Sequence, residues 1–356
     1  MLEGINEMQG IHGGDIYRNK VNLDFSVNIN PLGMPERVET ALHAAVASCQ
    51  QYPDIRSSEL HRAVSDMLEV SENYLLFGNG ASELFMGIVH GLRPKKILLP
   101  IPSFYGYEYA AKSGGSEVIY FPLKEEKDFQ PDEDLWNVLT DEIDILFFAN
   151  PNNPTGQLVS REYLERLLQI CREKNIYVVL DECFIEFCEG KVSMLSKIEK
   201  YRNLILVRAF TKIYAIPGVR LGYLVCSDEL VLEKIRRQLP EWNISVLAQV
   251  AGAACAGNSS YIEDSIKLVK RERTYLEKGL RELGLRVFHG EANFVLVYSA
   301  EPLYEKLLNQ GILIRDCENF RGLAKCFYRI AVKSRQENEI LLKVIGECIG
   351  GNGTFD

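Results

Sequence analysis

The sequence predicts an α/β fold, with a mainly parallel sheet in a large domain and a smaller α+β domain. Two observations lead to this prediction. From residue 35 to about residue 242, short apolar runs alternate with amphipathic helical segments, as in sheets that helices cover on both faces. Beyond residue 242, long helical patterns and a second group of short strands follow. We therefore predict an N-terminal arm with part of the small domain (1–34), a large domain (35–243) and a small C-terminal domain (244–356).

The elements of the large domain follow from the spacing of their apolar residues. A helical period predicts helices over 35–49, 57–68, 81–92 and 161–174. Short runs rich in Ile, Val, Leu and aromatic residues predict strands over 73–77, 96–99, 117–121, 145–149, 177–181, 204–208 and 221–225. Ligands bind at the carboxyl ends of the strands in open sheets of this kind, so functional residues are expected there.

The small domain is predicted from longer helical patterns. Helices are expected over 244–256, 261–283 and 336–348, and strands over 286–288, 293–298, 312–314 and 327–331.

Composition excludes several classes of function. The 356 residues are 47% hydrophobic, which is enough for a sizeable core, and carry a net charge of −9. This charge argues against a nucleic-acid binder. The five histidines form no HExxH or similar pair, so no metal site is predicted. Nine cysteines without a CxxC pair are typical of reduced thiols in a cytoplasmic protein. Neither a signal peptide nor a membrane span is expected.

Five groups of residues at the ends of predicted strands could take part in binding or catalysis. They are the Gly-rich turn 78–82, Asn153 in the loop NPNNPTG, Asp181, Lys212 and Arg220. Each has an ordinary explanation taken alone: a tight turn, a rigid loop, a structural ion pair, a surface lysine or a surface arginine. Together they supply an amine for an aldehyde, an acid for a ring nitrogen, an amide for a phenolic oxygen, and N–H groups with a guanidinium for a phosphate. Pyridoxal phosphate requires this set.

The motifs NPNNPTG (150–156), DE (181–182) and TKIYAIPGVRLGY (211–223) resemble those of the class I/II aminotransferases of the fold-type I pyridoxal-phosphate family. The resemblance covers almost the whole chain. It implies that Lys212 forms a Schiff base with the cofactor, that Asp181 pairs with the pyridine nitrogen, and that Asn153 binds the ring O3′. It further assigns the cofactor phosphate to Gly80, Ala81, Ser82, Thr211 and Arg220.

The same resemblance implies three further roles. Phe104 would stack on the cofactor ring, and Arg329 would bind the substrate carboxylate. Tyr52 would reach the cofactor phosphate of a neighbouring subunit, which implies a homodimer with shared active sites.

Two branches of this family resemble the chain: the histidinol-phosphate aminotransferases and the threonine-phosphate decarboxylases of cobalamin biosynthesis. HGGDIY (12–17), NINPLG (28–33), ILIRDC (312–317) and Phe184, where a tyrosine is usual in the aminotransferases, are more similar to the decarboxylases. The implied reaction converts L-threonine O-3-phosphate into aminopropanol phosphate. A small phosphorylated amino acid would then bind to Arg329, Arg315, His12, Asn30 and Lys333.

Two positions depart from the decarboxylase pattern, and further readings stay open. Ala209 replaces a hydroxyl residue that often binds the cofactor phosphate, and Lys333 replaces an arginine. An ammonium group cannot make the bidentate contact of a guanidinium. His12 has an alternative explanation as an exposed residue of the N-terminal arm. A histidinol-phosphate aminotransferase and a non-catalytic regulator that binds pyridoxal phosphate remain the alternative functions.

Overall fold

The computed structural model describes residues 13–190 and 192–350. Its strands, in chain order, are β1 Leu23–Asp24, β2 Leu75–Gly78, β3 Lys96–Ile101, β4 Glu117–Pro122, β5 Ile145–Ala149, β6 Tyr177–Asp181, β7 Leu204–Ala209, β8 Gly222–Val225, β9 Arg286–Phe288, β10 Phe294–Tyr298, β11 Ile312–Leu313, β12 Arg315–Asp316 and β13 Phe327–Ala331. Its helices are α1 Glu36–Ala45, α2 Ser58–Leu68, α3 Ala81–Leu92, α4 Tyr105–Ser113, α5 Asp134–Val138, α6 Arg161–Glu173, α7 Phe210–Ile213, α8 Glu229–Arg236, α9 Val246–Cys255, α10 Ser259–Glu282, α11 Leu303–Asn309 and α12 Arg335–Ile349.

A seven-stranded sheet forms the centre of the molecule, in the order β2-β8-β7-β6-β5-β3-β4. Only β8 runs against its neighbours, so the predicted mainly parallel α/β fold is confirmed. Every residue of β5 and β7 is buried, because helices cover both faces of the sheet. Two apolar clusters fill the space on its two sides, one around Leu146 and Leu206 and the other around Phe147 and Val207.

The reversed direction of β8 places Arg220 at the functional edge of the sheet. Arg220 precedes β8, and Gly222 pairs with Ala209 at the carboxyl end of β7. A Cβ atom on Gly222 would lie 2.9 Å from the backbone of Gly80, so glycine permits the close approach of these two segments. The turn before α3, the end of β7 and the start of β8 therefore meet at one place.

A four-stranded antiparallel sheet, in the order β12-β13-β10-β9, forms the second layer. The segment before α1 joins this part of the molecule. Strand β1 pairs in parallel with β11, and Ala331 N–H donates to the carbonyl of Phe25 at 2.9 Å. The exact boundaries at residues 34 and 243 remain a prediction.

Local capping adjusts some predicted element bounds. Strand β2 begins at Leu75 rather than Asn73, because Glu72–Tyr74 forms a 3-10 turn capped by the Ser71 side chain.

Between the two sheets, Phe129 packs against Phe288 and Phe327 and links the two layers. Within 13–190 and 192–350, no helix has the length and apolarity needed to cross a membrane.

Candidate active site

A cavity of about 370 Å³ lies at the carboxyl ends of the parallel strands, between the two sheets. It brings together most of the site residues that the sequence predicts: Gly80, Ala81, Ser82, Phe104, Asn153, Asp181, Thr211, Lys212, Arg220, Arg315 and Arg329. These residues are up to 249 positions apart in the chain, between Gly80 and Arg329. The cavity is therefore assembled by the topology of both sheets.

Lys212 is the only lysine that lines this cavity within the described ranges. It lies on the one-turn helix α7, directly after the fully buried strand β7. Burial, together with the charges of Arg329 and Arg220, lowers the pKa of Lys212 to about 8. A substantial fraction of its amine is consequently neutral near physiological pH, as a nucleophile for an aldehyde requires.

Asp181 ends β6 as a buried carboxylate with two hydrogen-bond donors. The Cys183 N–H donates to Oδ1 at 2.9 Å, and the Tyr107 hydroxyl donates to Oδ2 at 2.5 Å. Burial raises the pKa of Asp181, and hydrogen bonds from Cys183 and Tyr107 oppose that rise. A buried carboxylate is costly without a cationic partner, and a protonated ring nitrogen would supply that partner.

The turn before α3 forms a cradle that fits a phosphate group. Gly80 has φ +85° and gives α3 no side-chain cap, so the first N–H groups of this helix are available to an anion. A Cβ atom on Gly80 would lie 2.7 Å from an Arg220 guanidinium nitrogen. Thr211 lines the same cavity and is 5% exposed. These groups match the phosphate of pyridoxal phosphate.

Arg329 and Asn153 form a second polar centre in the cavity. Arg329 donates to Asn153 Oδ1 at 2.5 Å and to the Ser26 carbonyl at 2.9 Å. Because this contact uses the Asn153 oxygen, the Nδ2 group is the part that can donate to a phenolate. Burial, with the nearby Arg315 charge, lowers the pKa of Arg329 to about 10. Its Nε has no hydrogen-bond partner among the described residues.

Asn28 is a cavity residue that the sequence analysis missed. It is 2% exposed, and its Oδ1 has no hydrogen-bond partner within the described part of the chain. The motif NINPLG did draw attention to this segment, but the asparagine chosen there was Asn30. The other lining residues that the sequence analysis left out are Gly13, Ser26, Val27, Phe85, Tyr105, Cys183 and Phe320.

Asn30, which the sequence analysis predicts to bind the substrate, does not line the cavity. Its amide donates to the Ile213 carbonyl and to Ser265 Oγ, both at 2.7 Å. Its backbone N–H is also engaged, because it donates to the Lys212 carbonyl at 3.1 Å. Asn30 therefore braces the helix that carries Lys212.

Lys333 and Tyr52 also lie outside the cavity lining. Lys333 pairs with Glu337 at 3.5 Å, because the capping box of α12 brings that glutamate next to it. Tyr52 is 83% exposed and packs against Trp242, with ring centroids 5.2 Å apart. His12 falls outside the described residues.

The two unusual positions, Phe184 and Ala209, both line the cavity. Phe184 is 7% exposed and packs edge-on against Phe294, with centroids 5.1 Å apart. As a phenylalanine it adds no hydroxyl to the cavity lining. Ala209 likewise adds no hydrogen-bond donor beside the phosphate cradle.

The chain is similar to known proteins over most of its length. The family model described as aminotransferase class I and II matches residues 20–345. The chain is 35% identical over 338 residues to the threonine-phosphate decarboxylase of Salmonella typhimurium, covering 94% of this chain and 93% of that protein. It is 34% identical over 361 residues to an adenosylcobalamin biosynthesis bifunctional protein of Leptospira interrogans, covering 96% of this chain and 41% of that protein.

A solved structure shows a similar arrangement of the whole chain. The histidinol-phosphate aminotransferase from Clostridium acetobutylicum superposes with a TM-score of 0.87 at 34% identity, covering 92% of this chain and 99% of that one.

Proposed function

Because the chain belongs to the class I and II aminotransferase family, whose cofactor is pyridoxal 5′-phosphate, we propose that it decarboxylates L-threonine O-3-phosphate to aminopropanol phosphate in cobalamin biosynthesis. The observation that carries this proposal is the 35% identity to the Salmonella decarboxylase over 94% of the chain. The similarity to the Leptospira cobalamin-biosynthesis protein supports the same pathway. One of the two alternatives, a non-catalytic regulator, is set aside because the relatives are enzymes.

The residues at the cavity suit the cofactor. When bound, pyridoxal phosphate supplies an electron sink for a bond at the amino-acid Cα. Lys212 would hold its aldehyde, since burial lowers the pKa of the amine to about 8 and raises its reactive neutral fraction. Asp181 would stabilise a proton on the ring nitrogen, and Asn153 would donate to the ring oxygen. The uncapped start of α3 and Arg220 would hold its phosphate.

Orientation of the substrate decides which bond breaks. Loss of carbon dioxide would require the bond between Cα and the carboxylate to stand perpendicular to the ring. Holding the substrate in this orientation can lower the reaction barrier by several kcal/mol. Arg329 offers an unpartnered Nε donor at the cavity, and Arg315 adds a second guanidinium. An amino acid that carries both a carboxylate and a phosphate matches two guanidinium groups.

The alternative is a histidinol-phosphate aminotransferase, which the 34% identity and TM-score of 0.87 to the Clostridium acetobutylicum enzyme favour. Catalytic residues do not separate the two reactions, because both begin with the same cofactor chemistry. The test is incubation of the purified holoenzyme with L-threonine O-3-phosphate and assay of carbon dioxide and aminopropanol phosphate. Turnover only of histidinol phosphate with a keto acid would replace the proposal by the alternative.

A homodimer with shared active sites, in the cytoplasm, completes the proposal. Tyr52, Ile55 and Trp242 are 83%, 53% and 44% exposed, which supports an apolar surface that a second copy covers. Light scattering measures the assembly. Mixed dimers of Tyr52→Ala and Lys212→Ala subunits test the sharing: one of the two sites should then have both residues intact and keep activity, which neither parent variant shows.

A further inference from the structure

We propose that Arg321 and Glu108 form a clamp between the two layers of the molecule and thereby position the substrate-facing wall of the cavity. We call residues 317–325 the clamp loop. The inference rests on the proposed function insofar as it concerns the same cavity. Arg321 does not line that cavity, so it would be a positioning residue.

The clamp itself is a two-pronged ion pair between residues 213 positions apart. Arg321 Nε lies 3.2 Å from Glu108 Oε2, and its NH2 group lies 3.0 Å from Oε1. The guanidinium also lies over the Tyr120 ring, 4.4 Å from its centroid. Paired, charge-assisted bonds of this geometry are directional, and the ring adds a cation–π contact. The Glu108 carboxylate and the Tyr120 ring together fix the orientation of the Arg321 guanidinium.

Glu108 is a suitable anchor because it stays ionised. Its side chain is 11% exposed, against 51% for Arg321. Burial acts to raise the pKa of Glu108, but hydrogen bonds from Arg321, Lys112 and Tyr120 overcome this effect and hold the pKa at about 2. Lys112, one turn further along α4, also pairs with Glu108 at 2.6 Å. Glu108 thus keeps one cationic partner on its own helix if Arg321 is removed.

The backbone of the clamp loop is seated on the large sheet next to this ion pair. Gly322 has φ +90°, and a Cβ atom there would lie 3.3 Å from Pro102 N. Leu323 and Leu123 pack against the apolar cluster that contains Phe320 and Cys317. The clamp loop therefore contacts the end of β3 closely, and Arg321 adds the polar anchor.

The residues before Arg321 in the clamp loop connect it to the cavity. Phe320 lines the cavity and is 7% exposed. The Arg315 guanidinium lies 5.0 Å from the Phe320 ring centroid and donates to Asn319 Oδ1 at 2.6 Å. A shift of the clamp loop would therefore move the groups that hold Arg315.

The other side of the clamp is connected to the cavity too. Glu108 lies in the first turn of α4, whose N-cap residue Phe104 and first residue Tyr105 both line the cavity. The ion pair thus ties the element that carries the predicted ring-stacking residue to the loop that supports Arg315. Small displacements of substrate-binding groups are costly for catalysis.

The test compares holoenzyme variants in which one side of the clamp is removed. Arg321→Met and Glu108→Gln should each raise KM for L-threonine O-3-phosphate about threefold to tenfold, with kcat within about twofold. The double variant should match the single variants, because both remove one interaction. Arg321→Lys should recover part of the loss. Lys112→Met is the matched control: it removes a Glu108 ion pair within α4 and should leave KM unchanged.

Two further readouts separate this inference from the proposed function. Visible absorbance of the bound cofactor should be the same in all variants, and amide hydrogen exchange over 317–325 should be faster in Arg321→Met than in Lys112→Met. Exchange needs no substrate, so it tests the clamp even if threonine phosphate is not turned over; KM is then measured with histidinol phosphate. Unchanged KM and exchange in Arg321→Met, an equal effect in Lys112→Met, or a loss confined to kcat with altered cofactor absorbance would each overturn the inference.

Discussion

Arg315 and Arg329 lie directly opposite each other on the neighbouring antiparallel strands β12 and β13. Directly opposed residues share one face of a sheet, and like charges in this position destabilise it. Both residues are buried, at 6% and 7% exposure, and both line the cavity. The protein keeps two cations together where an anionic ligand would offset their repulsion.

Loss of one guanidinium should therefore weaken anion binding more than it weakens the fold. We expect Arg329→Lys to lower kcat/KM about tenfold to a hundredfold, because lysine lacks the paired donors of arginine.

Inorganic phosphate should raise the thermal unfolding midpoint of the unsubstituted protein and raise that of Arg315→Met less. Arg281→Met, at a half-exposed residue of α10 that pairs with Glu277, is the control. Equal phosphate stabilisation in all three proteins would contradict the arrangement.

Lys212→Ala should abolish both activity and the visible absorbance of the purified protein. Borohydride treatment of the unsubstituted holoenzyme should attach the cofactor to the peptide that contains Lys212. Persistence of the colour in the variant, with another lysine labelled, would refute the assignment. Lys333→Met, which removes an ion pair outside the cavity lining, should retain the colour.

Capture of the cofactor should depend on pH in a defined direction. The neutral amine of Lys212 is the reactive form, and its pKa is about 8. The rate at which apoprotein takes up pyridoxal phosphate should rise with pH and level off above about pH 8, with about a tenfold loss per unit well below it. Stopped-flow absorbance measures this rate. A profile that instead rises only near pH 10 would indicate an ordinary exposed lysine.

Tyr107→Phe should impair catalysis through Asp181. The substitution removes a hydrogen bond that lowers the pKa of Asp181, so the pKa rises and the ionised fraction falls at a given pH. We expect kcat to fall about tenfold, since hydrogen bonds to charged groups are worth about 1.5–3 kcal/mol. The acidic limb of the kcat profile should move to higher pH. Tyr109→Phe, at a 43% exposed residue of the same helix, should leave the profile in place.

Asn28→Ala and Asn30→Ala should have different consequences. Asn28 lines the cavity with an unpartnered oxygen, so its loss should raise the substrate KM with little change in stability. Asn30→Ala removes two buried hydrogen bonds and should lower the free energy of unfolding by about 2 kcal/mol. Denaturant titration and steady-state kinetics measure the two effects. The same pattern for both variants would show that the two asparagines are not separated in this way.

Gly80→Ala should weaken cofactor binding in addition to straining the backbone. Gly80 has φ +85°, and an added Cβ would lie 2.7 Å from Arg220. Gly115→Ala is a matched control, because Gly115 has φ +75° with nothing within 4 Å of its added Cβ. Both substitutions should cost about 1–3 kcal/mol of stability, because a side chain is strained at positive φ. Only Gly80→Ala should raise the dissociation constant of pyridoxal phosphate; equal values would place the phosphate elsewhere.

Much of the cofactor half of this cavity was predictable because its signals are local. Strands β5 and β6 have the predicted bounds. The apolar run of β5 stops before Asn150, and the apolar residues of β6 lead to Asp181, the last residue of that strand. Lys212 and Arg220 stand in one motif eight residues apart. Their convergence nevertheless depends on the reversed direction of β8, which an apolar run does not reveal.

The substrate half was harder to predict because its signals are distant in sequence. Asn28 and Asn30 lie in one motif, and what separates them is contact with α7 and Ser265. Lys333 was assigned to the site because the resemblance to the decarboxylases places an arginine there, but Glu337 of α12 pairs with it. Tyr107 gave no motif at all, because its partner Asp181 is 74 residues away.

The parallel pairing of β1 with β11 has a consequence for how this enzyme can diversify. It joins the segment before α1 to the second sheet layer, where Asn28 and Ser26 line one cavity with Arg315 and Arg329, whereas residues 80–220 hold the groups suited to the cofactor. With the proposed roles of these residues, substrate recognition and cofactor chemistry would be encoded in separate stretches of the sequence. Substitutions in the outer stretches could then change which amino acid the enzyme accepts as substrate. The central stretch, with the chemistry that it supports, would be inherited unchanged.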